Sequence, residues 1–233
     1  MPTHADEPAS AAAAKAAARS RLRSARRELT ADQIAIRGQA LARVLPSVVP
    51  AGSAVAGYVP MPGEPDVRPF LSGHAAGGGA VYVPVIASTR DRVLEWVSWA
   101  PEAELRRSAF AAVDEPLGDR LGTVALRERH PEGLTVLVPG LAVDQHGARM
   151  GQGGGFYDTA FGNDAAFGND ADHQSSTPVE SAADSPTDLA PLRFIAVVHA
   201  AEVLSPGAFP VEPHDLRVHI IVTEREATTL RPV

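Results

Sequence analysis

Between Val136 and Asp158 the chain reads VLVPGLAVDQHGARMGQGGGFYD: an apolar run, Pro139-Gly140, a polar turn over Asp144 to Gly147, then glycines at 151, 153, 154 and 155. Glycines in a strand-to-helix loop let backbone N–H groups approach an anion without Cβ obstruction, and a helix opening near Phe156 adds partial positive charge. The pattern predicts a phosphate cradle; a glycine-rich turn with a purely structural role is the plain alternative. It contains GxGGG, so it has neither the GK[ST] of a P-loop nor the GxGxxG of a dinucleotide fingerprint. Arg149 supplies the cation that a phosphate site needs, and Asp158 the carboxylate that a nucleotide with Mg²⁺ needs.

Three further segments carry candidate chemistry. Lys15 and Arg19 are four apart, so on a helix they share a face and can converge on one polyphosphate. Against that stands a solvated basic face, since Arg21, Arg23, Arg26 and Arg27 follow. Tyr58-Val59-Pro60-Met61-Pro62-Gly63-Glu64 is a strand end turning through Pro and Gly with an acid at its tip. Loops after strands of α/β sheets line ligand sites, and Glu64 there can accept from an amino or imino group, unless it is simply an exposed loop acid. Pro210-Val211-Glu212-Pro213-His214-Asp215 offers a base beside its orienting acid, a metal-holding Asp215, or merely two solvated side chains. No GxSxG elbow appears, and the other histidines lack zinc spacing.

The elements that must position these residues are legible in outline. Lys15 to Leu29 is rich in Ala, Arg and Leu and lacks Gly and Pro, which predicts a helix. Thr30 with Gln33 resembles a capping box opening a second helix, whose Ile34, Gly38, Leu41 and Leu45 share a face before Pro46 ends it. Ala54–Val59, Ala80–Ile86, Leu134–Val138, Phe194–His199 and Val218–Thr223 read as strands, several of them apolar at consecutive positions as in parallel sheets buried on both faces. Val93–Trp99 alternates more, as an edge or antiparallel strand would. Helices are expected after Asp66, around Leu117–Arg129, from Phe156 and after Glu224. Alternating strand and helix predicts a single α/β layered domain spanning 15–233.

Composition narrows the classes. With 45% apolar and 21% charged residues the chain is that of a globular protein, and its net charge of −7 argues against nucleic-acid binding. Six acids (Asp164, Asp170, Asp172, Glu180, Asp184 and Asp188) and no Lys or Arg lie within 159–190, a stretch read as a disordered acidic insertion. Residues 1–14 read as a disordered Ala-rich lead rather than a secretory signal. The absence of cysteine removes disulfides and thiol chemistry and fits a reducing cytoplasm, the expected location. No apolar run reaches the roughly 20 residues of a membrane span.

Together the segments resemble the 5-formyltetrahydrofolate cyclo-ligase (methenyltetrahydrofolate synthetase) family from about Lys15 to Glu224. VPGLAVDQHGARMGQGGGFYD is similar to that family's VPGLAFDxxGxRLGxGxGYYD, and Glu115-Pro116 and the Pro-x-x-x-His-Asp segment fall in matching order. The resemblance implies a three-layer α/β/α domain with a mostly parallel sheet, Rossmann-like and akin to the NagB/RpiA/CoA-transferase fold. It implies ATP as co-substrate, with Lys15 and Arg19 on its phosphates and Arg149, Gly151, Gln152, Gly153, Gly154, Gly155, Phe156 and Tyr157 wrapping it. Val59, Glu64, Gln152 and Phe156 would bind the folate, Asp158 and Asp215 would hold Mg²⁺, and Glu64, Arg149 and Tyr157 would act in catalysis. A monomer with a small-molecule folate substrate, and no membrane or nucleic-acid partner, is expected. Phe156, Gln152, Gly154, Thr159 and His219 depart from the family's commoner residues. Two other readings stand beside this one: an α/β protein that binds NAD(P) or a sugar phosphate through the same loop, and a non-catalytic relative.

Overall fold

The computed structural model describes residues 7–162, 191–212 and 215–231. In chain order the elements begin with α1 (Glu7–Arg27), α2 (Ala31–Val44), β1 (Ala54–Ala56), α3 (Arg68–Ala76), β2 (Val81–Ser88) and β3 (Val93–Ser98). There follow β4 (Leu105–Arg107), β5 (Asp114–Pro116), β6 (Arg120–Gly122), α4 (Thr123–Arg129), β7 (Leu134–Pro139), β8 (Ala142–Asp144) and β9 (Arg149–Met150). The last are α5 (Phe156–Phe161), β10 (Leu192–Val197), β11 (Val203–Leu204), β12 (Ile220–Val222) and β13 (Ala227–Thr229).

Eight strands form one sheet in the order β13-β12-β10-β7-β1-β2-β3-β6. The five from β12 to β2 are parallel, while β13 and β3 run against them at the margins and β6 pairs antiparallel with β3. Successive side chains of the central strands go to opposite faces. Ala54, Ala56, Val136, Val138, Phe194 and Ala196 join one core with Leu126 of α4 and Phe161 of α5. Val55, Leu137, Ile195 and Val197 join the other with Leu41 of α2 and Phe70 and Leu71 of α3. That two-sided burial is why these strands read as continuous apolar runs. It gives the expected α/β architecture, a large and mostly parallel sheet flanked by helices.

The chain leaves β1 toward β2 on one side and returns through β7, β10 and β12 on the other. The crevice beyond the carboxyl ends of β1 and β7 is therefore a topological switch point, where open α/β sheets bind ligands. A small sheet, β11-β8-β9, continues past β7, and α1 packs on it through Ala18 and Leu22 against Ala142, Met150 and Phe209.

Several expectations change. The first helix starts at Glu7, eight residues before Lys15, because Ala-rich sequence is the best helix former; residues 7–14 are thus helical rather than a disordered lead. The capping box is present, with Gln33 N–H donating to Thr30 Oγ1 (3.2 Å) and Thr30 N–H to Gln33 Oε1 (2.9 Å). The helix expected after Glu224 is instead strand β13: Thr223 Oγ1 accepts from the N–H groups of Arg225 and Glu226, which reverses the chain onto β12. The helix expected around Leu117–Arg129 is confined to Thr123–Arg129, with β6 before it. Of the acidic stretch 159–190, residues 159–161 belong to α5 and 163–190 lie outside the described residues. Among the described residues no helix is long and apolar enough to cross a membrane.

Candidate active site

Beyond β1 and β7 lies a cavity of about 560 Å³ lined from α1, both post-strand loops, the β2–β3 hairpin, Glu212 and Asp215. Its polar side begins with α1. Lys15, Arg19, Arg23 and Arg26 recur at helical spacing on one face; Lys15 and Arg19 line the cavity, Arg26 is buried beneath it and Arg23 lies exposed beside it. Lys15 Nζ donates to Asp215 Oδ2 (2.8 Å) and Glu212 Oε2 (2.9 Å). Burial opposes the charge on Lys15, but those two carboxylates outweigh it and leave the pKa raised. Arg19 Nε donates to the carbonyl of Gly151 (3.1 Å), and Arg23 grips the side chain and carbonyl of Gln152. The helix thus clamps the glycine loop rather than presenting only a solvated face; Arg21 and Arg27 lie off this stripe.

The loop needs its glycines for concrete reasons. A Cβ on Gly151 would fall 2.7 Å from Arg149 Nη1, so the buried guanidinium of Arg149 lies directly against the loop. Gly155 has φ +68°, in the left-handed region, where it starts α5. Helix α5 has only six residues, so nearby cations rather than a long helix dipole supply most of the positive field. Gly154 is not on the cavity wall: a Cβ there would meet the Phe156 ring, which folds back over it.

Arg149 is anchored by an ion pair, Nη2 to Asp158 Oδ1 at 2.6 Å, and donates to the carbonyl of Pro139 at 3.3 Å. The same Asp158 oxygen accepts the N–H of Leu216 (3.0 Å), the residue after Asp215. Asp158 and Asp215, 57 positions apart in the chain, are thereby brought to one wall. Among the described residues no cluster of three or more His, Cys, Asp or Glu has metal-site geometry. His214 lies outside the described residues.

Glu64 is the buried acid, 3% exposed. Its Oε2 accepts the N–H of Met61 (3.0 Å) and its Oε1 accepts from Gln152 Nε2 (3.2 Å), with Arg26 Nη1 4.0 Å away. Burial raises its pKa above 4.5 despite those donors. Beneath it Arg26 makes a two-point pair with Glu202 (2.6 and 2.8 Å) and donates to the carbonyl of Gly140. Tyr157 packs edge-on to Trp96, and its hydroxyl is buried without a hydrogen-bond partner. Burial and then the charge of Glu64 push its pKa far up, so the hydroxyl stays protonated. Val59, Pro84, Leu94, Val113 and Phe156 form the apolar side.

The cavity therefore gathers Lys15, Arg19, Val59, Glu64, Arg149, Gly151, Gln152, Gly153, Gly155, Phe156, Tyr157, Asp158 and Asp215. Sequence reasoning missed Arg23, Arg26, Tyr58, Arg92, Glu202 and Glu212. Two segments have structural work. Glu115 accepts from Ile86 N–H and Ser108 Oγ, pinning β5 to β2, and His219 Nδ1 accepts the N–H of Phe194 while stacking on its ring.

A model of the 5-formyltetrahydrofolate cyclo-ligase family matches residues 11–224. The chain belongs to the 5-formyltetrahydrofolate cyclo-ligase family. Within that family it is 31% identical over 166 residues to the 5-formyltetrahydrofolate cyclo-ligase of Escherichia coli strain K12, covering 70% of this chain and 84% of the relative. To the enzyme of that name from Mycolicibacterium smegmatis it is 29% identical over 184 residues, 77% of this chain and 78% of the relative. The solution structure of 5,10-methenyltetrahydrofolate synthetase from Aquifex aeolicus superposes with a TM-score of 0.64 at 21% identity, covering 94% of each chain. That from Mycoplasma pneumoniae gives 0.56 at 13% identity, covering 91% of this chain and 99% of the other. The two superpositions bear out the cyclo-ligase fold; the family membership rests on the sequence matches.

Proposed function

We propose that this chain converts 5-formyltetrahydrofolate to 5,10-methenyltetrahydrofolate with ATP and Mg²⁺, releasing ADP and phosphate. The observation that carries the reading is one cavity with two chemically distinct sides. Cations and two carboxylates converge on the glycine loop, while the buried Glu64 faces the same space beside an apolar wall.

On this reading the formyl oxygen attacks the γ-phosphorus of ATP and the bond to ADP breaks. N10 then attacks the activated formyl carbon and loses its proton as the C–O bond to phosphate breaks and the ring closes. Such chemistry needs positioning and charge neutralisation more than a protein nucleophile, and among the described residues no Ser, Cys or His lines the cavity. Lys15, Arg19 and Arg149 face the phosphates, and amides of the 151–155 loop approach them without Cβ obstruction. Glu64 is held by the N–H of Met61 and by Gln152 with its carboxylate toward the folate, where it orients N10–H and receives its proton. Tyr157 donates its otherwise unpartnered hydroxyl.

Asp158 and Asp215 fit Mg²⁺, which takes one or two carboxylates together with phosphate oxygens and water, so no third protein acid is needed. The ion would neutralise charge developing on the transferred phosphoryl group. The test is the near-ultraviolet methenyl chromophore formed from 5-formyltetrahydrofolate with Mg²⁺-ATP. Asp158→Asn should lower turnover about 10²- to 10³-fold and shift the Mg²⁺ titration to higher concentration. No ATP-dependent chromophore from the wild type refutes the activity, and an unmoved Mg²⁺ titration refutes the metal assignment.

A further inference from the structure

The cavity has a fourth cation that no motif marks. Arg92 sits at the end of the β2–β3 turn and lines the cavity with Pro84, Leu94 and Val113. Its guanidinium lies over the glycine loop: a Cβ on Gly155 would come 3.2 Å from Arg92 Nη1. Among the described residues it has no hydrogen bond or ion pair. The neighbouring Asp91 carboxylate accepts instead from Ser88 Oγ (3.0 Å).

Two features separate Arg92 from an ordinary exposed arginine. Its φ is +56°, the only positive φ of a non-glycine residue among those described. An L-residue is strained there and persists where surroundings enforce it, often at ligand sites. The other lining cations are also already engaged. Lys15 is held by Glu212 and Asp215, Arg149 by Asp158, and Arg19 by the carbonyl of Gly151. Those contacts run from α1 to Glu212 and Asp215, and none of them extends to Arg92. Arg92 meets the last glycine of the loop, Gly155, from the hairpin that also brings Pro84 and Leu94 to the wall.

We propose that Arg92 binds a carboxylate of the glutamate tail of the folate substrate. The inference rests on the folate reading of the cavity. A folate carries an apolar ring system and benzoyl group ending in an acidic tail, which matches an apolar wall closed by a fork-shaped cation. Arg92 is then a specificity-determining residue, favouring folates over pteridines that lack the tail.

The test compares 5-formyltetrahydrofolate with 5-formyltetrahydropteroate, which has no glutamate. Arg92→Gly removes the guanidinium while relieving the left-handed backbone, so it should melt no lower than wild type. It should raise KM for 5-formyltetrahydrofolate roughly 10- to 100-fold, the range of a lost charge-assisted hydrogen bond, and leave KM for ATP unchanged. With the pteroate compound the wild type should already show the high KM, and the substitution should add nothing. Arg92→Lys should recover part of the affinity. An equal loss on both substrates, a rise confined to KM for ATP, or no change overturns the proposal. Absence of wild-type turnover of 5-formyltetrahydrofolate would instead overturn the parent reading.

Discussion

Helix α1 enters two charge clusters that differ in how much water they see. At its carboxyl end Arg26 is 5% exposed, and so is its partner Glu202, with Glu64 at 3% close behind. At its cavity end Lys15 pairs with Glu212 and Asp215, whose side chains are 56% and 13% exposed. Both clusters join a cation of one helix to distant acids, Arg26 to Glu202 over 176 positions and Lys15 to Glu212 and Asp215 over 197 and 200. In the buried one each charge depends on the others, since desolvated ions are tolerated only when paired and hydrogen-bonded. In the other, Lys15 is itself buried but Glu212 is open to water, so that partner can be exchanged for water or a phosphate. The buried cluster fixes the shape of the site and the open one is suited to exchange.

Breaking the buried cluster gives the largest expected effect. Arg26→Met leaves Glu202 charged, buried and without its two-point partner, and frees the carbonyl of Gly140. Removing one member of such a pair costs about 3–5 kcal/mol, which should appear as a lower midpoint in urea unfolding with little change in slope. Arg26→Met combined with Glu202→Leu should recover much of that loss, because apolar replacement of a whole buried pair is often neutral or stabilising. If the single substitution cost under 1 kcal/mol, the contrast between the clusters would collapse.

Glu64 belongs to the buried cluster but works against stability. Its pKa is raised in the fold by burial, so between 4.5 and its folded value the native state binds more protons than the unfolded one. Its contribution to stability therefore falls as pH rises through that window. Glu64→Gln should leave the protein at least as stable at pH 7, while turnover drops about 10²- to 10⁴-fold, the range for general acid–base groups. The acidic limb of the wild-type kcat/KM profile should lie above pH 4.5 and vanish in the variant. A destabilised variant with normal turnover would make Glu64 a structural acid.

The sequence made one kind of information plain and hid another. Strands β1, β2, β7, β10 and β12 were legible because burial on both faces demands runs such as Val136-Leu137-Val138, and the glycine loop because close backbone approach excludes Cβ atoms. Glu64 and Asp158 stand near such glycines, whereas Lys15 and Arg19 showed only as two cations sharing a helical face. Arg23 and Arg26 carried a signal, since they extend the Lys15–Arg19 spacing along the same face, but Arg21 and Arg27 obscured it by making the helix look uniformly basic. Arg92 and Glu202 had none: each reaches its cluster through tertiary packing, and a lone arginine in a turn resembles any solvated one. The edge strand β13 was hidden for a similar reason, because the Thr223 hydroxyl decides a turn that propensity alone does not reveal.

Substitution in the open cluster should have the smallest effect on stability. Lys15→Met keeps the apolar stem that packs α1 and removes only the ammonium, leaving Glu212 and Asp215 within reach of water. The pair with the open Glu212 contributes about 0–1 kcal/mol and the less exposed Asp215 pair more, so the urea midpoint should move less than in Arg26→Met. The pKa of Lys15 is raised, so what stability the pairs give is complete below pH 10.5 and disappears as pH climbs through the folded value. Its loss should be read in nucleotide binding instead. Without the ammonium, KM for ATP should rise roughly tenfold, with kcat and KM for the folate changed far less. Added salt should weaken ATP binding more in the wild type than in the variant, since the variant has one fewer charge to screen. A Lys15→Met protein that unfolded as readily as Arg26→Met, yet bound ATP normally, would reverse the roles assigned to the two ends of α1.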